Sequence, residues 1–185
     1  MPVPIRPQRQ GLYSVLLLLP ALATAFTCKD LTEGPQDATF SWNNLQLLHA
    51  MAPSMSQPCP HQHKLFPFPE TLLDTHDMQQ AAITAQNLLQ HLFRTLSSPN
   101  TPAHWIDRAH QRLLNHIDQY VRRLQRCLGH KAKHPRRRGP RNLHLSINKY
   151  FSRIHHFLQH NNYSPCAWDH VLLQAHACFR RVDTL

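Results

Sequence analysis

The chain has 185 residues, a formal net charge of +10, 42% hydrophobic residues and only 16% charged residues. This length and apolar content suffice for the core of one globular domain, which excludes a disordered polyelectrolyte. Only 4 residues are glycine and 15 are proline, which excludes a collagen-like chain, disfavours phosphate-binding loops and favours helices joined by proline-rich connections.

The first segment has the pattern of a secretory signal peptide. Arg6 and Arg9 precede an apolar run over 12–25 that ends in small residues. The run is shorter than the roughly 20 apolar residues of a membrane-spanning helix. We therefore expect residues 1–27 to be a signal peptide, although cleavage after Ala25 fits the pattern as well as cleavage after Thr27. Residues 28–185 then form one exported domain, with no insertion into the membrane.

Five cysteines remain in the predicted mature chain, and an exported protein meets oxidising conditions in which cysteines pair. An odd number means that at least one has no partner within the chain, and the spacing alone leaves the pairing open. We expect Cys178 to be a buried small hydrophobic side chain, with an intermolecular bridge as the alternative. The cysteines are Cys28, Cys59, Cys127, Cys166 and Cys178.

Apolar residues at spacings of three and four predict five helices. Helix α1 covers 39–52 and stops at Pro53. A proline-rich connection over 53–74 follows, and α2 begins near Asp77 and ends in the segment 97–99.

The other three helices have clear start or stop signals. Thr101 followed by Pro102 predicts the start of α3, which Gly129 closes. A basic linker over 129–140 precedes α4, whose apolar stripe runs over 143–158. Ser164 and Pro165 open α5, which continues to Val182. On the apolar faces we expect buried aromatic side chains, namely Trp105, Phe151, Phe157 and Trp168.

The connection lengths predict the path of the bundle. Short α2–α3 and α4–α5 links make these pairs antiparallel, whereas the α1–α2 connection of about 22 residues could stretch to roughly 70 Å and leave α1 and α2 parallel. This path brings Cys127 toward Cys28 and Cys166 toward Cys59, so these two pairs fit the topology.

One stretch of sequence is specific enough to suggest a family. YFSRIHHFLQHNNYSPCAW over 150–168 resembles the type I interferon signature of paired aromatics, an aliphatic residue, an aromatic-Leu pair and then Cys-Ala-Trp. FSWNNLQLL, FPFPETLL, LSSPNTPAHWIDR and PRNLHLSINKYF are similar to avian members, most of all to the beta subtype.

The resemblance implies an all-α fold: a four-helix-bundle cytokine with a fifth helix, a long overhand connection from α1 to α2, and two disulfides, Cys28–Cys127 and Cys59–Cys166. It implies a secreted antiviral cytokine, without enzyme activity or cofactor, that bridges two interferon receptor chains and triggers Janus kinase and STAT signalling. The alternative is a cationic host-defence protein that acts directly on anionic membranes or glycans.

The family resemblance also assigns receptor contacts by position. His63 stands where mammalian members carry a receptor-contacting arginine, and Lys64 is next to it. We expect one member of each leucine doublet, 113–114 and 172–173, to be exposed. The positions that match contacts with the high-affinity subunit are His63, Lys64, Leu172, Leu173, His176 and Arg180. Those that match contacts with the low-affinity subunit are Arg112, Lys149 and Arg153.

Three further patterns are a basic linker, a glycosylation sequon and a pair of histidines. The basic linker over 131–141 has three interpretations: a solvated surface that binds sugars such as heparan sulfate, a site for a specific protein partner, or a processing site at Arg136–Arg138. Export argues against nucleic acid as its partner. Asn162 begins the only N-glycosylation sequon and is a candidate for glycosylation, with an unmodified loop as the alternative because Pro165 directly follows the sequon. His156 and His160 have helical spacing but no third ligand in a metal-binding pattern, so we expect no metal site.

Overall fold

A computed structural model describes residues 40–53, 66, 68, 78–131 and 141–185. Within these ranges the regular structure is entirely helical, which confirms the predicted all-α class. The five helices are α1 (Phe40–Met51), α2 (Met78–Leu96), α3 (Asp107–Lys131), α4 (Arg141–His160) and α5 (Pro165–Asp183).

Two contacts at one end of the bundle fix the direction of the first three helices. The Ile106 amide, just before α3, donates to the Met51 carbonyl at the end of α1 (2.9 Å). Nε2 of His110 lies 2.9 Å from the Leu96 carbonyl oxygen at the end of α2. Helices α1 and α2 therefore end together where α3 begins, so they are parallel and α3 is antiparallel to both, as the connection lengths predict.

The last two helices complete the predicted path. Asn87 contacts His144, and Thr95, two turns further along α2, contacts His155. Because both residue numbers increase together, α2 and α4 are parallel. Helix α5 is antiparallel to α4, since Tyr150 bonds Gln174 whereas the later Phe157 packs against the earlier His170.

The described part of the α1–α2 connection lies along α4. The Phe66 ring packs edge-on against Phe157, and the Phe68 ring packs edge-on against Tyr150, each at 5.2 Å between centroids. The chain thus passes from the end of α4 toward its middle while it travels from the end of α1 to the start of α2. This direction agrees with an overhand connection that runs back along the bundle.

The core has its largest side chains where α5 begins. Trp168 is fully buried, donates from Nε1 to the Asn100 carbonyl (2.9 Å) and meets the Trp105 ring edge-on at 5.1 Å. Burial of one large apolar side chain stabilises a fold by about 1.5–3 kcal/mol, so these two residues hold the α2–α3 connection against α5. The expected burial of Trp105, Phe151, Phe157 and Trp168 is confirmed.

The predicted start of α3 is wrong by several residues. Residues 101–106 form turns, in which the Trp105 amide donates to the Pro102 carbonyl (3.1 Å), and the helix begins at Asp107. Thr101 and Pro102 have the pattern of a helix cap, but no helix begins there, because the Trp105 side chain turns inward and packs against Trp168. The predicted stop at Gly129 is also early, since α3 continues to Lys131.

The predicted start of α5 is confirmed. Ser164 is the N-cap, its hydroxyl accepts from the Ala167 amide (3.3 Å), and Pro165 occupies the first turn, where a missing amide hydrogen has no cost. The cap fixes which residues of α5 face the core. The face consists of Trp168, Val171, Leu172, Ala175, Cys178, Phe179 and Val182.

Candidate functional site

The packing order of the helices creates two outward surfaces. Helix α5 packs against α1, α2 and α4, while α2 packs against α3, α4 and α5. The outer side of α5 therefore lies beside α1, and the outer side of α2 lies between α3 and α4. We call the first the α1–α5 surface and the second the α2–α4 surface.

The α1–α5 surface, defined by Trp42, His49, Leu173, His176 and Arg180, has apolar ends and a polar centre. Trp42 is 64% exposed and Leu173 is 55% exposed, which is unusual for side chains of this size. Burial, then Arg180 and His49, lower the pKa of His176, so the imidazole faces both groups. Because α1 and α5 are antiparallel, Trp42 and Leu173 lie toward opposite ends of this surface.

Leu172 does not belong to this surface, which corrects its assignment as a receptor contact. Its side chain is 2% exposed and packs in the core. The helix period explains this burial. Leu172 lies one turn after Trp168 and one turn before the buried Ala175, so it is on the inner half of α5.

The two leucine doublets differ from each other. For the 172–173 doublet, exposure of one member is confirmed. For the 113–114 doublet it is wrong, because both leucines are buried between α3 and its neighbours.

The α2–α4 surface contains a groove between α2 and α3 with a volume of about 390 Å³. An exposed ion pair crosses one turn of α3 there, with Nε of Arg122 2.8 Å from a carboxylate oxygen of Asp118. Arg94 of α2 lines the same groove. Exposed ion pairs contribute little to stability, so this pair does not hold the helices together, and the groove is a charged recess.

The structure brings together two of the three residues assigned to the low-affinity subunit. Lys149 and Arg153 are exposed and lie one turn apart on α4. Arg112 is also exposed, but it lies on α3 about 120° around the helix axis from Asp118, which lines the groove. Arg112 is therefore on a separate edge of the molecule from Lys149 and Arg153.

Four assigned residues lie outside the described part of the chain, namely Cys28, Cys59, His63 and Lys64. The predicted signal peptide over 1–27 and most of the basic linker over 131–141 also lie outside it. Their predicted roles stay predictions. Asn162 is described: its side chain is exposed and its backbone is left-handed, with φ 49°. Modification of Asn162 also stays a prediction.

The described cysteines fall into two classes. Cys127 and Cys166 are disulfide-bonded, whereas Cys178 is a free thiol within the core. Burial raises the pKa of Cys178 to about 12. The thiol therefore stays protonated and unreactive at neutral pH, as expected for a buried small hydrophobic residue.

Two further findings concern the described residues alone. Among them no three side chains of the metal-binding types lie close enough to hold an ion. None of the described helices is long and apolar enough to cross a membrane. The sequence leaves the burial of Trp42 open, because this residue flanks the apolar stripe of α1 and that helix has only 12 residues in which to define a face; the structure leaves Trp42 exposed.

Comparison with known proteins identifies the family. The model of the interferon alpha/beta domain matches residues 34–185. The chain is 59% identical over 180 residues to chicken interferon type B, covering 96% of this chain and 88% of that protein. It is 51% identical over 189 residues to chicken interferon type A1/A2, covering 100% and 97%.

More distant proteins are also similar to this chain. Mouse interferon epsilon is 31% identical over 184 residues, covering 92% of this chain and 89% of that protein. The structure of zebrafish interferon 1 matches with a TM-score of 0.67 at 18% identity, over 80% of this chain and 93% of that one. Members of this cytokine family are not enzymes. The chain, an all-helical bundle in its described residues that matches the family model over all of them, belongs to the interferon alpha/beta family.

Proposed function

We propose that the protein is a secreted antiviral cytokine that bridges two interferon receptor chains and thereby triggers Janus kinase and STAT signalling. The observation that carries the proposal is the pair of separate outward surfaces on a bundle that belongs to the interferon family. Two partners can occupy these surfaces at the same time because α5 and α2, which bear them, have their outer sides on different flanks of the bundle.

The α1–α5 surface is the proposed site for the high-affinity receptor chain. A few aromatic, aliphatic and arginine side chains usually contribute most of the binding energy of a protein interface. Trp42 and Leu173 provide exposed apolar area, and Arg180 provides a permanent charge with bidentate geometry. His63 and Lys64 extend the proposed contact into the α1–α2 connection.

The α2–α4 surface is the proposed site for the low-affinity receptor chain. Lys149 and Arg153 provide two exposed cations one turn apart, which suits an acidic partner. Arg112 lies on a separate edge of the molecule, so its predicted contact with the low-affinity chain lies outside the α2–α4 surface. Charged rim contacts of this kind contribute mainly to the rate of association, so this surface suits the weaker of two interactions.

The proposed disulfides are Cys28–Cys127 and Cys59–Cys166, and the helix ends support them. Phe40 at the start of α1 stacks on Tyr120, about two turns before Cys127, with centroids 4.0 Å apart. Cys166 in the first turn of α5 lies at the end of the bundle where α1 ends. In the loop-entropy account, each disulfide would stabilise the fold by about 4 to 5 kcal/mol.

The test is STAT tyrosine phosphorylation in avian cells given trace amounts of the mature, oxidised protein. Soluble ectodomain of the high-affinity receptor chain serves as competitor. We expect a signal that the competitor abolishes. Absence of a signal, together with lysis of anionic vesicles at roughly micromolar protein that weakens with salt, would instead support the cationic host-defence alternative, which the net charge of +10 favours.

A further inference from the structure

Three histidines line the contact between α2 and α4, each beside a neutral polar side chain of the facing helix. Nε2 of His144 lies 3.5 Å from Nδ2 of Asn87. Nε2 of His155 lies 3.4 Å from the Thr95 hydroxyl oxygen. Between these two contacts, the Asn148 side chain faces His91. We call His91, His144 and His155 the histidine seam.

The seam is held in place by packing as well as by hydrogen bonds. The His91 ring stacks on Phe151 with centroids 5.0 Å apart and planes 17° apart. Phe151 is buried in the core and therefore fixes the imidazole at the surface boundary. Because α2 and α4 are parallel, the three imidazoles follow one another along a line rather than converging on a point, which suits an extended partner better than a metal ion.

The two helices that form the seam contain no acidic residue. Helix α2 contributes Arg94, and α4 contributes Arg141, Lys149 and Arg153, with neither Asp nor Glu in either helix. His156 lies next to His155 on α4. A positive charge that appears on the seam is therefore not neutralised by its own two helices.

The neighbouring helices do not supply the missing negative charge. On α3 the carboxylate that lines the α2–α3 groove, Asp118, is already paired with Arg122 at 2.8 Å. On α5 the titratable groups that face α4 are the buried Cys178 thiol beside Tyr150 and the His170 ring against Phe157. The described part of the α1–α2 connection faces α4 with the rings at 66 and 68, which carry no charge.

We propose that the α2–α4 surface binds a sulfated glycosaminoglycan chain, and that protonation of the histidine seam strengthens this binding as the pH falls below about 6.5. The seam extends over roughly 16 Å, from position 144 to position 155 of α4, which is the length of a short stretch of a linear polymer. Its polar groups are imidazoles, amides and a hydroxyl, which match sulfates and sugar hydroxyls better than the aromatic anchors of protein interfaces.

The local environment favours the neutral form of two of the three imidazoles. Burial, followed by the nearby Arg94, lowers the pKa of His91, and burial, followed by His156, lowers that of His155. A bound sulfate would raise the pKa of a neighbouring imidazole, because the negative charge favours the protonated form. Binding and protonation are therefore coupled, and glycosaminoglycan affinity on this surface depends on pH in a way that the lysines and arginines of the basic linker, which stay charged throughout this range, cannot produce.

The experiment compares heparin binding of the folded mature protein at pH 7.4 and pH 5.8, by calorimetry and by the salt concentration needed for elution. We expect the affinity to rise about tenfold at the lower pH, which corresponds to about 1.4 kcal/mol of binding free energy. The variant His91→Gln/His144→Gln/His155→Gln should lose most of this rise. The matched control His49→Gln/His104→Gln/His116→Gln, which removes three exposed histidines from other parts of the surface, should keep it.

Two further variants keep the proposal testable. Ser152→Glu places a carboxylate at an exposed position of α4 and should weaken heparin binding at both pH values, even if the triple seam variant does not fold. Arg136→Gln/Arg137→Gln/Arg138→Gln should weaken binding at pH 7.4 and leave the tenfold ratio between the two pH values unchanged.

The proposal is overturned if the affinity of the wild type does not rise at the lower pH, if the seam variant folds and keeps the whole rise, or if the linker variant abolishes the rise. Receptor binding enters none of these readouts.

Discussion

At the scale of single residues, Leu172 and Leu173 show that neighbouring residues of one helix can face the core and the solvent. Leu172 is in the core and Leu173 faces solvent, although the two are neighbours in the chain. The apolar stripe of α5 already includes Leu172 by its spacing from Trp168. Family resemblance assigned it to a receptor contact instead, and the helix period proved the better guide.

We expect Leu172→Ala to lower the free energy of unfolding by about 2–5 kcal/mol, because truncation leaves a cavity among packed side chains. Leu173→Ala should change it by no more than about 0.5 kcal/mol, since the side chain is largely in water. Urea unfolding followed by circular dichroism measures both. Equal effects of the two substitutions would contradict the orientation of α5.

We expect Trp42→Ala to weaken binding to the high-affinity receptor chain by about 30-fold, which corresponds to an interface anchor of about 2 kcal/mol. Its 64% exposure means that the substitution should leave thermal unfolding almost unchanged. Surface plasmon resonance with the receptor ectodomain provides the measurement. Leu145→Ala, which removes an apolar side chain that is 58% exposed on α4, is the control and should bind normally. Full binding by the Trp42 variant would remove this residue from the proposed site.

At the scale of helices, one type of local signal predicted the start of α5 correctly and the start of α3 wrongly. Ser164 with Pro165 and Thr101 with Pro102 both have the pattern of a cap followed by proline. The first pair begins a helix, whereas the second precedes a turn that carries Trp105 into the core. The difference lies in a contact with Trp168, 63 residues further along the chain, which local spacing does not encode.

The parallel pair α2 and α4 should make stability depend on pH. The pKa values of His91, His155 and His176 lie below the ordinary histidine value in the folded chain. The unfolded chain therefore takes up protons first as the pH falls through about 6.5, so the free energy of unfolding should decrease from pH 7.5 to pH 5. The pKa values of Asp169 and Asp183 are raised, chiefly by burial, and these groups act in the opposite direction below that range.

The measurement is urea unfolding at pH 7.5, 6.5, 5.5 and 5.0. His91→Gln/His155→Gln should flatten the decrease, while His116→Gln, on the exposed side of α3, should not. A stability that stays constant or increases toward pH 5 in the wild type would contradict the environment assigned to these side chains.

At the scale of the whole molecule, connection lengths were enough to predict the path. Short links made α2–α3 and α4–α5 antiparallel, and the long α1–α2 connection allowed two parallel helices, as the contacts at Met51 and Leu96 confirm. The receptor surfaces could be predicted only in part. Exposure of Trp42 depends on how α1 rotates against α3 and α5, and that rotation is set by packing of Phe40 on Tyr120 and Phe179.

The disulfides act at this scale because they join the ends of the chain to the bundle. We expect Cys166→Ser to lower the free energy of unfolding by about 4 kcal/mol and to reduce signalling potency, because the α1–α2 connection would no longer be tied to α5. Peptide mapping of the oxidised protein by mass spectrometry should give the pairs Cys28–Cys127 and Cys59–Cys166. Any other pairing, or unchanged potency of the serine variant in a cell reporter, would contradict this arrangement.

The central claim is that two receptor chains bind the protein at once, on the α1–α5 and α2–α4 surfaces. The most direct measurement captures the protein on immobilised ectodomain of the high-affinity chain and then adds ectodomain of the low-affinity chain. We predict that the second ectodomain binds on top of the first, and that Lys149→Glu/Arg153→Glu abolishes this second step while the first remains intact. Competition between the two ectodomains for the captured protein would contradict the account.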